Sequence, residues 1–378
     1  MGGYHKDALP RGHHLADYVI DSVLGVGGFG VTYLAHDEQL GSKVAIKEYL
    51  PQDISNRIEA TRVLPNPDAP NAIQDYHWGL KEFVKEARHL VQFKHPNIVR
   101  VLRFMEANGT AYMVMEYEKG QSLSHYLKNL PGRRLEEQEL LRIFLPILNG
   151  LAAVHDAKIL HLDIKPDNIY LREDHTPMLI DFGSARQAIT GVDHAQRVTL
   201  THGFAPIEQY PDKGQPGPWT DIYAMGASMY YAICARRPEI SINRYQTFLK
   251  HHADPLTPAI KAGEGKYSKY ILECIDWALQ IYAKDRPQSA RQLQDGLMGR
   301  GIPRAAVPKP YIDLSKAKSR AKQNRESRMG RWILVLLIAG GIGSGYYYFK
   351  PSLVTQVLNK TNQLIKPYTA RLEKILKR

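Results

Sequence analysis

Residues 161–168 read HLDIKPDN, and a shorter motif, DFG, follows at residues 181–183. The first motif places Asp163 five residues before Asn168, and the second adds the carboxylate of Asp181. Together these groups can supply one general base and two oxygen ligands of the hard kind that Mg²⁺ prefers. Either motif alone is also consistent with a loop of solvated carboxylates, so its meaning depends on the rest of the chain.

A glycine-rich run lies upstream, where residues 24–33 read LGVGGFGVTY. It contains a GxGxxG pattern, and glycines without Cβ atoms let backbone amides close over phosphate oxygens. A dinucleotide-binding fold would place a helix directly after these glycines. A second strand-like pattern follows them here, which predicts a hairpin that covers phosphates. Glycine-rich turns also occur for purely structural reasons, so this run alone is weak evidence.

A lysine stands at the end of an apolar strand pattern, VAIK at residues 44–47. A buried ammonium group is costly without a partner. Glu86 is a candidate partner because it lies in a segment with helical periodicity. From Lys47 and Glu86 alone, an ion pair that only stabilises the fold is an equally good interpretation.

The first part of the chain is rich in strand patterns, and helical patterns dominate after residue 122. The strand patterns lie at residues 18–24, 31–35, 44–49, 98–106 and 111–116. The helical patterns include residues 78–93, 136–156 and 221–235.

In this order and spacing, the motifs resemble the eukaryotic-type (Hanks-type) serine/threonine protein kinases, specifically the membrane-anchored kinases of bacteria. The resemblance covers residues 16–298, the predicted kinase domain. It implies an α+β, bilobal protein kinase fold, with a small β-rich N-lobe and a large helical C-lobe around ATP, followed by a single transmembrane helix. The implied activity is transfer of the ATP γ-phosphate to Ser and Thr hydroxyls of proteins, including autophosphorylation, in membrane-associated signalling.

The resemblance also implies a role for each catalytic residue. Asp163 would accept the proton of the substrate hydroxyl, while Lys165 approaches the γ-phosphate and Thr201 closes the same network. Lys47 would hold the α- and β-phosphates, and Glu86 would orient Lys47. A lysine two residues after the base is the serine/threonine-type mark of this family.

The same resemblance implies the metal and nucleotide contacts. Asn168 and Asp181 would hold Mg²⁺, with Mn²⁺ as an alternative metal. Ala45 and residues 115–118 would form the adenine pocket, with Met115 as the gatekeeper. The residues expected to contact ATP are Leu24, Gly25, Val26, Gly27, Gly28, Phe29, Gly30, Thr32, Ala45, Lys47, Met115, Glu116 and Tyr117.

Three further residues have structural roles by the resemblance. Glu208, in the segment GFAPIEQY at residues 203–210, should pair with Arg286. Asp221 should brace the catalytic loop. Replacement of these residues should therefore harm folding more than chemistry.

Leu162 departs from the family pattern, because many kinases have an arginine at this place. That arginine normally receives an activation-loop phosphate in a charge-assisted pair. Without it, we expect activity to depend weakly on phosphorylation of Thr190, Thr199 or Thr201.

The long spacing between Lys47 and Glu86 is a second departure. The proline-containing stretch at residues 51–70 predicts an inserted loop before the helix. Such a loop either contacts a regulator or decorates the surface, and we interpret it as surface decoration.

The formal net charge of +12 is concentrated at one end of the chain. Residues 1–299 carry 33 basic and 35 acidic side chains, whereas residues 300–378 carry 17 and 3. The body is nearly neutral, so no nucleic-acid partner is predicted, although salt-dependent duplex binding by residues 300–331 would revive that hypothesis. The two cysteines form no CxxC motif, which argues against a zinc site or a disulfide framework.

The basic end contains a predicted membrane span at residues 332–349. This stretch, WILVLLIAGGIGSGYYYF, has no charged residue and would be about 27 Å long as a helix, against a hydrocarbon core of about 30 Å. A buried core helix is the alternative, but such a helix normally has a polar face. We therefore expect a single-pass protein of the cell (inner) membrane with its kinase domain in the cytosol.

The remaining segments complete the predicted organisation. Residues 1–15 would be a flexible N-terminus, residues 299–331 a basic juxtamembrane linker and residues 350–378 a basic amphipathic tail. The basic segments suit anionic membrane lipids. Gly341 and Gly345 form a GxxxG pair that fits a homodimer, although small residues are common in membrane helices.

A membrane-tethered pseudokinase scaffold, which binds ATP without transferring phosphate, is the alternative function. A pseudokinase should lack at least one of the residues that phosphoryl transfer requires. Lys47, Asp163, Asn168 and Asp181 are all present, so the sequence favours the enzyme.

Overall fold

The computed structural model describes residues 6–182, 186–187 and 200–301. Its N-terminal part is rich in strands because buried apolar residues alternate with more exposed ones, as Val31, Tyr33 and Ala35 do along the third strand. The strands of this part are β1 (His14–Leu15), β2 (Tyr18–Gly27), β3 (Gly30–Asp37), β4 (Lys43–Tyr49), β5 (Ser55–Ile58), β6 (Arg62–Pro65), β7 (Val101–Ala107) and β8 (Thr110–Glu116).

An antiparallel sheet of six strands, in the order β1-β2-β3-β4-β8-β7, forms the N-lobe. Strand β4 is central in this sheet, so its backbone is hydrogen-bonded on both sides. Lys47 pairs with Thr32 of β3 and with Met113 of β8. The backbone that carries the predicted ATP-binding lysine is therefore fixed by two neighbouring strands.

A single helix of the described N-lobe, α1 (Ala72–Val91), packs beside this sheet. It begins six residues before the start predicted from the helical pattern. Tyr76 and Phe83 lie on its buried face, with ring centroids 5.4 Å and 5.6 Å from that of Tyr49 in β4. Glu86 is on the same helix and is also buried. The packing of α1 thus places this carboxylate inside the lobe.

The insert at residues 51–70 contains a hairpin that is anchored to the N-lobe, although most of its residues lie at the surface. Strands β5 and β6 form a hairpin in which Val63 is fully buried. Arg57 of this hairpin forms a buried ion pair with Glu48 of β4. Its guanidinium also donates hydrogen bonds to the carbonyl oxygen of Thr61, at 2.6 Å, and to that of Asp7, at 2.7 Å. The buried guanidinium of Arg57 therefore links the hairpin to β4 and to the residues before β1.

Part of the segment predicted as a flexible N-terminus also packs against this cluster. Leu9 and Leu15 are both buried. The backbone amide of Leu9 donates to the Tyr33 hydroxyl at 3.0 Å, and that hydroxyl donates to Glu48 Oε2 at 2.7 Å. The described residues before β1 therefore contribute to the N-lobe interior.

Helices predominate after β8 and form the larger C-lobe, in which α4 runs through the core with most of its residues buried. The helices are α2 (Leu123–Asn129), α3 (Glu137–Asp156), α4 (Pro218–Cys234), α5 (Ser241–His251), α6 (Ala259–Ala262), α7 (Lys269–Ala278) and α8 (Ala290–Leu297). Short strands complete the lobe: β9 (Gly120–Ser122), β10 (Ile159–Leu160), β11 (Ile169–Arg172), β12 (Pro177–Leu179) and β13 (Arg186–Gln187).

Within residues 6–182, 186–187 and 200–301, no helix has the length and apolar character needed to cross a membrane. The predicted span at residues 332–349 and the predicted tail at residues 350–378 lie outside the described residues. The same holds for the predicted linker beyond residue 301.

Candidate active site

The loop at residues 161–168 connects β10 to β11, and Asp221 of α4 holds its beginning. The Asp221 carboxylate accepts hydrogen bonds from the backbone amides of His161, at 2.9 Å, and Leu162, at 2.7 Å. His155 Nε2 lies 2.8 Å from the same carboxylate. Leu162 has a φ of 64°, a conformation that is costly for a residue with a Cβ, and these hydrogen bonds help to hold it. The expected bracing of the loop by Asp221 is confirmed.

The charge of Asp221 is fully buried, and its hydrogen bonds stabilise it. Burial raises the pKa of this carboxyl group, but the hydrogen bonds and charges of His155 and His161 outweigh that effect and hold the pKa below its usual value. A carboxylate that accepts several hydrogen bonds is stabilised in its ionised form. Asp221 therefore serves as a charged anchor for the loop.

Three of the predicted site residues meet at the carboxylate of a fourth, Asp163. Lys165 Nζ donates to Oδ2 at 2.7 Å, and the amide nitrogen of Asn168 donates to the same oxygen at 3.0 Å. The Thr201 hydroxyl donates to Oδ1 at 2.8 Å and accepts from Lys165 Nζ at 3.3 Å. The loop that carries three of these residues and the segment that carries Thr201 are thus joined at the predicted base.

Lys47 forms its ion pair with Asp181, which has a φ of 62° and directly precedes the buried Phe182. The expected direct pair between Lys47 and Glu86 does not occur: no ion pair joins them in the described part of the chain. Burial lowers the pKa of Lys47, but the charges of Asp181 and then Glu86 outweigh burial and raise it. Glu86 acts on the lysine through its charge and not through a hydrogen bond.

Glu86 is a buried carboxyl group whose Oε1 atom has no hydrogen-bond partner among the described residues. Burial raises the pKa of Glu86 well above its usual value, against the opposing charge of Lys47. Two carboxylates therefore compete for one ammonium group, and Asp181 holds it. An unpartnered buried oxygen is unusual in a folded protein.

The glycine run forms the predicted hairpin between β2 and β3, where Gly27 pairs with Gly30. A Cβ at Gly30, which has a φ of 156°, would lie 1.8 Å from the carbonyl oxygen of Glu48, so the close approach of β4 requires glycine here. At Gly25, Gly27 and Gly28 an added Cβ would meet only open space. These three glycines therefore face open space at the hairpin.

The residues predicted to surround adenine lie on adjacent strands. Ala45 of β4 pairs with Met115 of β8, and Thr32 of β3 pairs with Lys47. Met115 is buried, whereas Glu116 at the end of β8 is exposed. The sheet therefore places Ala45, Met115 and Lys47 close together on the adjacent strands β4 and β8. The remaining predicted contacts, Leu24, Val26, Phe29 and Tyr117, lie in β2, in the hairpin turn and directly after β8.

The expected pair between Glu208 and Arg286 is confirmed. Two guanidinium nitrogens of Arg286 donate to the two carboxylate oxygens, at 2.6 Å and 3.0 Å, and both side chains are buried. Arg286 also donates to the carbonyl oxygens of Trp219, Gln280 and Ile281. The pair joins the segment after Thr201 to the core of the C-lobe.

Sequence reasoning missed two residues that support the catalytic loop. Gln209 donates from Nε2 to the carbonyl oxygen of Leu162 at 2.8 Å, and His155 contacts Asp221. Gln209 directly follows Glu208, so its position in the motif offered a signal, whereas nothing in the pattern around His155 distinguished it from other helical residues. Gly183, Thr190 and Thr199 lie outside the described residues.

Comparison with known proteins assigns this arrangement to a family. The model of the protein kinase domain matches residues 18–297. Among curated relatives, the serine/threonine-protein kinase pkn2 of Myxococcus xanthus is 30% identical over 308 residues, which cover 76% of this chain and 34% of the relative. Serine/threonine-protein kinase C of Synechocystis sp. is 30% identical over 322 residues, which cover 80% of this chain and 54% of the relative. The chain thus spans about a third to a half of the length of such relatives.

Solved structures give the same fold. The apo form of PpkA-294 is 35% identical, with a TM-score of 0.67, and the match covers 77% of this chain and all of that one (100%). The kinase domain of PknI from Mycobacterium tuberculosis is 19% identical, with a TM-score of 0.57, and shows the fold alone. With the family model matched over most of the chain and the predicted β-rich and helical lobes both present, this chain belongs to the protein kinase family.

Proposed function

We propose that this chain is a serine/threonine protein kinase that transfers the γ-phosphoryl group of ATP to Ser and Thr hydroxyls of proteins, including its own. One observation carries the proposal: the Asp163 carboxylate is held by Lys165, Asn168 and Thr201 within a single hydrogen-bonded cluster. Catalysis of phosphoryl transfer depends on positioning and on stabilisation of charge. The cluster provides both, because it places a carboxylate base, Asp163, beside a cation, Lys165.

The side chains present fit ATP and a divalent cation. Gly25, Gly27 and Gly28 leave open space where side chains would otherwise stand. The amide nitrogen of Asn168 donates both to the backbone oxygen and to Oδ2 of Asp163, which turns the amide oxygen toward other ligands. Asp181 adds a half-exposed carboxylate. Mg²⁺ is commonly held by one or two such oxygen ligands together with phosphates, so Asn168 and Asp181 would hold it, and Mn²⁺ as an alternative.

Asp163 has the hydrogen-bonding capacity to accept a proton from a substrate hydroxyl. A carboxylate oxygen accepts more than one hydrogen bond. Oδ1 receives the Thr201 hydroxyl, whereas Oδ2 receives both Lys165 and Asn168. Oδ1 is therefore the oxygen with capacity for a substrate hydroxyl, and the donors on Oδ2 fix the orientation of the group.

The two lysines provide positive charge around the transferred group. Lys47 is almost completely buried on β4, and Lys165 bridges Asp163 and Thr201. When bound, ATP supplies the phosphoryl group and Mg²⁺ neutralises charge on the phosphate oxygens. Glu86 and Asp181 both raise the pKa of Lys47 against the effect of burial, so this side chain stays a cation that can bind phosphate.

Phosphoryl transfer from radiolabelled ATP to a Ser/Thr peptide library and to the chain itself tests the proposal. We expect label on Ser or Thr, and a loss of at least about a hundredfold in Asp163→Asn, as is typical for removal of a general base. Asp212→Asn, a change at an exposed carboxylate in the C-lobe, is the matched control and should retain activity. ATP binding without transfer by the wild type would favour the pseudokinase scaffold instead.

We further propose that residues 332–349 anchor the kinase in the cell (inner) membrane with its catalytic domain in the cytosol. The uncharged span and its basic flanks support this. Basic residues number ten in the segment 299–331 and seven in the segment 350–378, which suits anionic lipids more than a nucleic acid. The GxxxG pair in the span supports a homodimer.

Membrane fractionation of the full chain tests this placement. The wild type should remain in the membrane pellet after alkaline extraction, and a chain lacking residues 332–349 should not. Protease added to spheroplasts should leave the kinase domain intact. Extraction of the full chain into the soluble fraction would overturn the anchor.

A further inference from the structure

The segment that follows Thr201 is fixed next to the predicted base. The Thr201 hydroxyl donates to Asp163 Oδ1 at 2.8 Å. The carbonyl oxygen of Thr201 then accepts the backbone amides of Phe204, at 3.0 Å, and Ala205, at 3.1 Å. Residues 201–205 thus form a tight turn that is attached directly to the group that would deprotonate a substrate.

Arg237, in the loop between α4 and α5, covers this turn. Its guanidinium carbon lies 5.7 Å from the ring centroid of Phe204, a distance typical of a cation–π contact. Gly203 has a φ of 91°, and a Cβ there would lie 3.3 Å from the Cβ of Arg237 and 3.1 Å from the carbonyl oxygen of Pro238. The turn and the loop are therefore packed against each other.

A second contact fixes the same loop. The Ser241 hydroxyl, at the start of α5, donates to the carbonyl oxygen of Ala205 at 2.7 Å. The position of Arg237 relative to Thr201 is consequently set by hydrogen bonds and packing on both sides, and not by the side chain of Arg237 alone.

The charge of Arg237 is directed to solvent at this place. Its side chain is exposed, and it forms no ion pair with any residue that the structure describes. Phe204 beneath it is only 3% exposed, so the aromatic ring supports the guanidinium while leaving its outer face open. Arg236 next to it is also exposed. The nearest acidic residue along the chain, Glu239, accepts a hydrogen bond from Asn243 instead.

We propose that Arg237 selects protein substrates with an anionic side chain close to the hydroxyl that is phosphorylated. This inference rests on the proposed function and adds a substrate class to it. A guanidinium that contacts an aromatic ring at cation–π distance keeps its N–H groups for two hydrogen bonds to a carboxylate or a phosphate. Its fixed position beside the turn at residues 201–205 directs that recognition to residues flanking the acceptor.

Paired peptides test the proposal with the full-length chain. Each pair has one Ser acceptor and differs by Glu against Gln at a single flanking position, and a third arm has phosphoserine there. We expect kcat/KM to favour Glu over Gln by about three- to tenfold at one position or more, with phosphoserine at least as good because of its larger charge. A higher preference for phosphoserine than for Glu would identify previously phosphorylated proteins as the substrates.

The variants distinguish selection from structure. Arg237→Gln should abolish the Glu preference, Arg237→Glu should reverse it toward Lys-containing peptides, and Arg237→Lys should retain part of it. Kcat/KM for the Gln peptide should stay near the wild-type value in Arg237→Gln, a result that a merely structural role would not give. Arg62→Ala, which removes an exposed arginine of the N-lobe hairpin, is the charge-matched control and should keep the preference.

Two outcomes are separable. Transfer to the library with equal rates for Glu and Gln peptides at every position, or a preference that survives in Arg237→Gln, would overturn the inference and leave the proposed kinase activity standing. Absence of transfer to every peptide and to the chain itself would overturn the proposed function.

Discussion

The ammonium group of Lys47 is paired with Asp181, while the charge of Glu86 reaches it only at longer range. The buried Glu86 carboxyl keeps one oxygen without a hydrogen-bond partner in the described structure, and burial raises its pKa well above the usual value. An ion pair that served only the fold would place these charges in direct contact. We therefore expect Glu86 to matter more for the site than for the stability of the fold.

Glu86→Gln tests this expectation. Because the folded state already disfavours the charged carboxylate, we expect the free energy of unfolding in urea to change by less than about 1 kcal/mol at pH 7. Breaking a direct buried pair would cost about 3–5 kcal/mol. Phosphoryl transfer should fall at least about tenfold, since an amide cannot ionise and replace Asp181 as the partner of Lys47 when Asp181 binds the metal ion. A large loss of stability with unchanged activity per folded molecule would contradict this view.

The pair between Glu208 and Arg286 should behave in the opposite way. Arg286→Met leaves the Glu208 carboxylate buried beside Thr220, and removal of one partner of a buried ion pair costs about 3–5 kcal/mol. Urea unfolding of the variant should show a loss of this size. Arg291→Met, which breaks an exposed pair with Asp156, is the control and should leave the unfolding midpoint nearly unchanged.

The insert hairpin should contribute to stability through Arg57. We expect Arg57→Met to lower the free energy of unfolding by about 3–5 kcal/mol, because Glu48 stays buried without its cation. The double variant Arg57→Met with Glu48→Gln should recover part of that loss, since it removes the unpaired charge. If Arg57→Met were as stable as the wild type, the insert would be no more than a surface loop.

Leu162 predicts weak control by activation-loop phosphorylation. Its side chain is buried at 8% exposure, and its backbone is fixed by Asp221 and Gln209, so this position offers no cation to a phosphate. Phosphatase-treated and autophosphorylated enzyme should have similar kcat values, within about threefold, since Leu162 cannot form a charge-assisted pair with a phosphate. A hundredfold loss on dephosphorylation would contradict this prediction.

Asp276 should make stability depend on pH. Burial raises the pKa of this α7 carboxyl to about 6, although the backbone amides of Ala259 and Ile260 donate to it at 2.6 Å and 3.0 Å. The usual pKa is 3.8, so between pH 3.8 and about 6 the folded state holds a proton that the unfolded state has released. The contribution of Asp276 to stability is therefore fully present below pH 3.8 and is lost as the pH rises through about 6.

Urea unfolding from pH 4.5 to pH 7 measures this dependence. Relative to Asp276→Asn, the wild type should lose about 2 kcal/mol of unfolding free energy across the range, from 1.36 kcal/mol per pKa unit. The comparison with the variant removes the contributions of other titrating groups. Parallel curves for the two proteins would show that Asp276 titrates near its ordinary value.

The sequence by itself determined which chemical groups are present and in what order. The five-residue spacing of Asp163 and Asn168 predicted that the two act together, and they are hydrogen-bonded. The family resemblance correctly predicted that Glu208 pairs with Arg286 and that Asp221 holds the loop at residues 161–168. Strand and helix patterns also gave the β-rich and helical lobes, because the alternation of apolar residues follows the period of each element.

Only the tertiary structure decided which of these groups touch. Asp181 and Glu86 are both acidic and could each form an ion pair with Lys47. Which of them does so depends on distances between elements that no local pattern encodes. The partner of Arg57 was also not predictable from local sequence, because Glu48 lies on another strand and meets it only in the fold. Likewise, Arg237 lies over Phe204 because two loops pack against each other. Local patterns reflect contacts between near neighbours in the chain, whereas a buried charge finds its partner among residues that folding brings together from far apart.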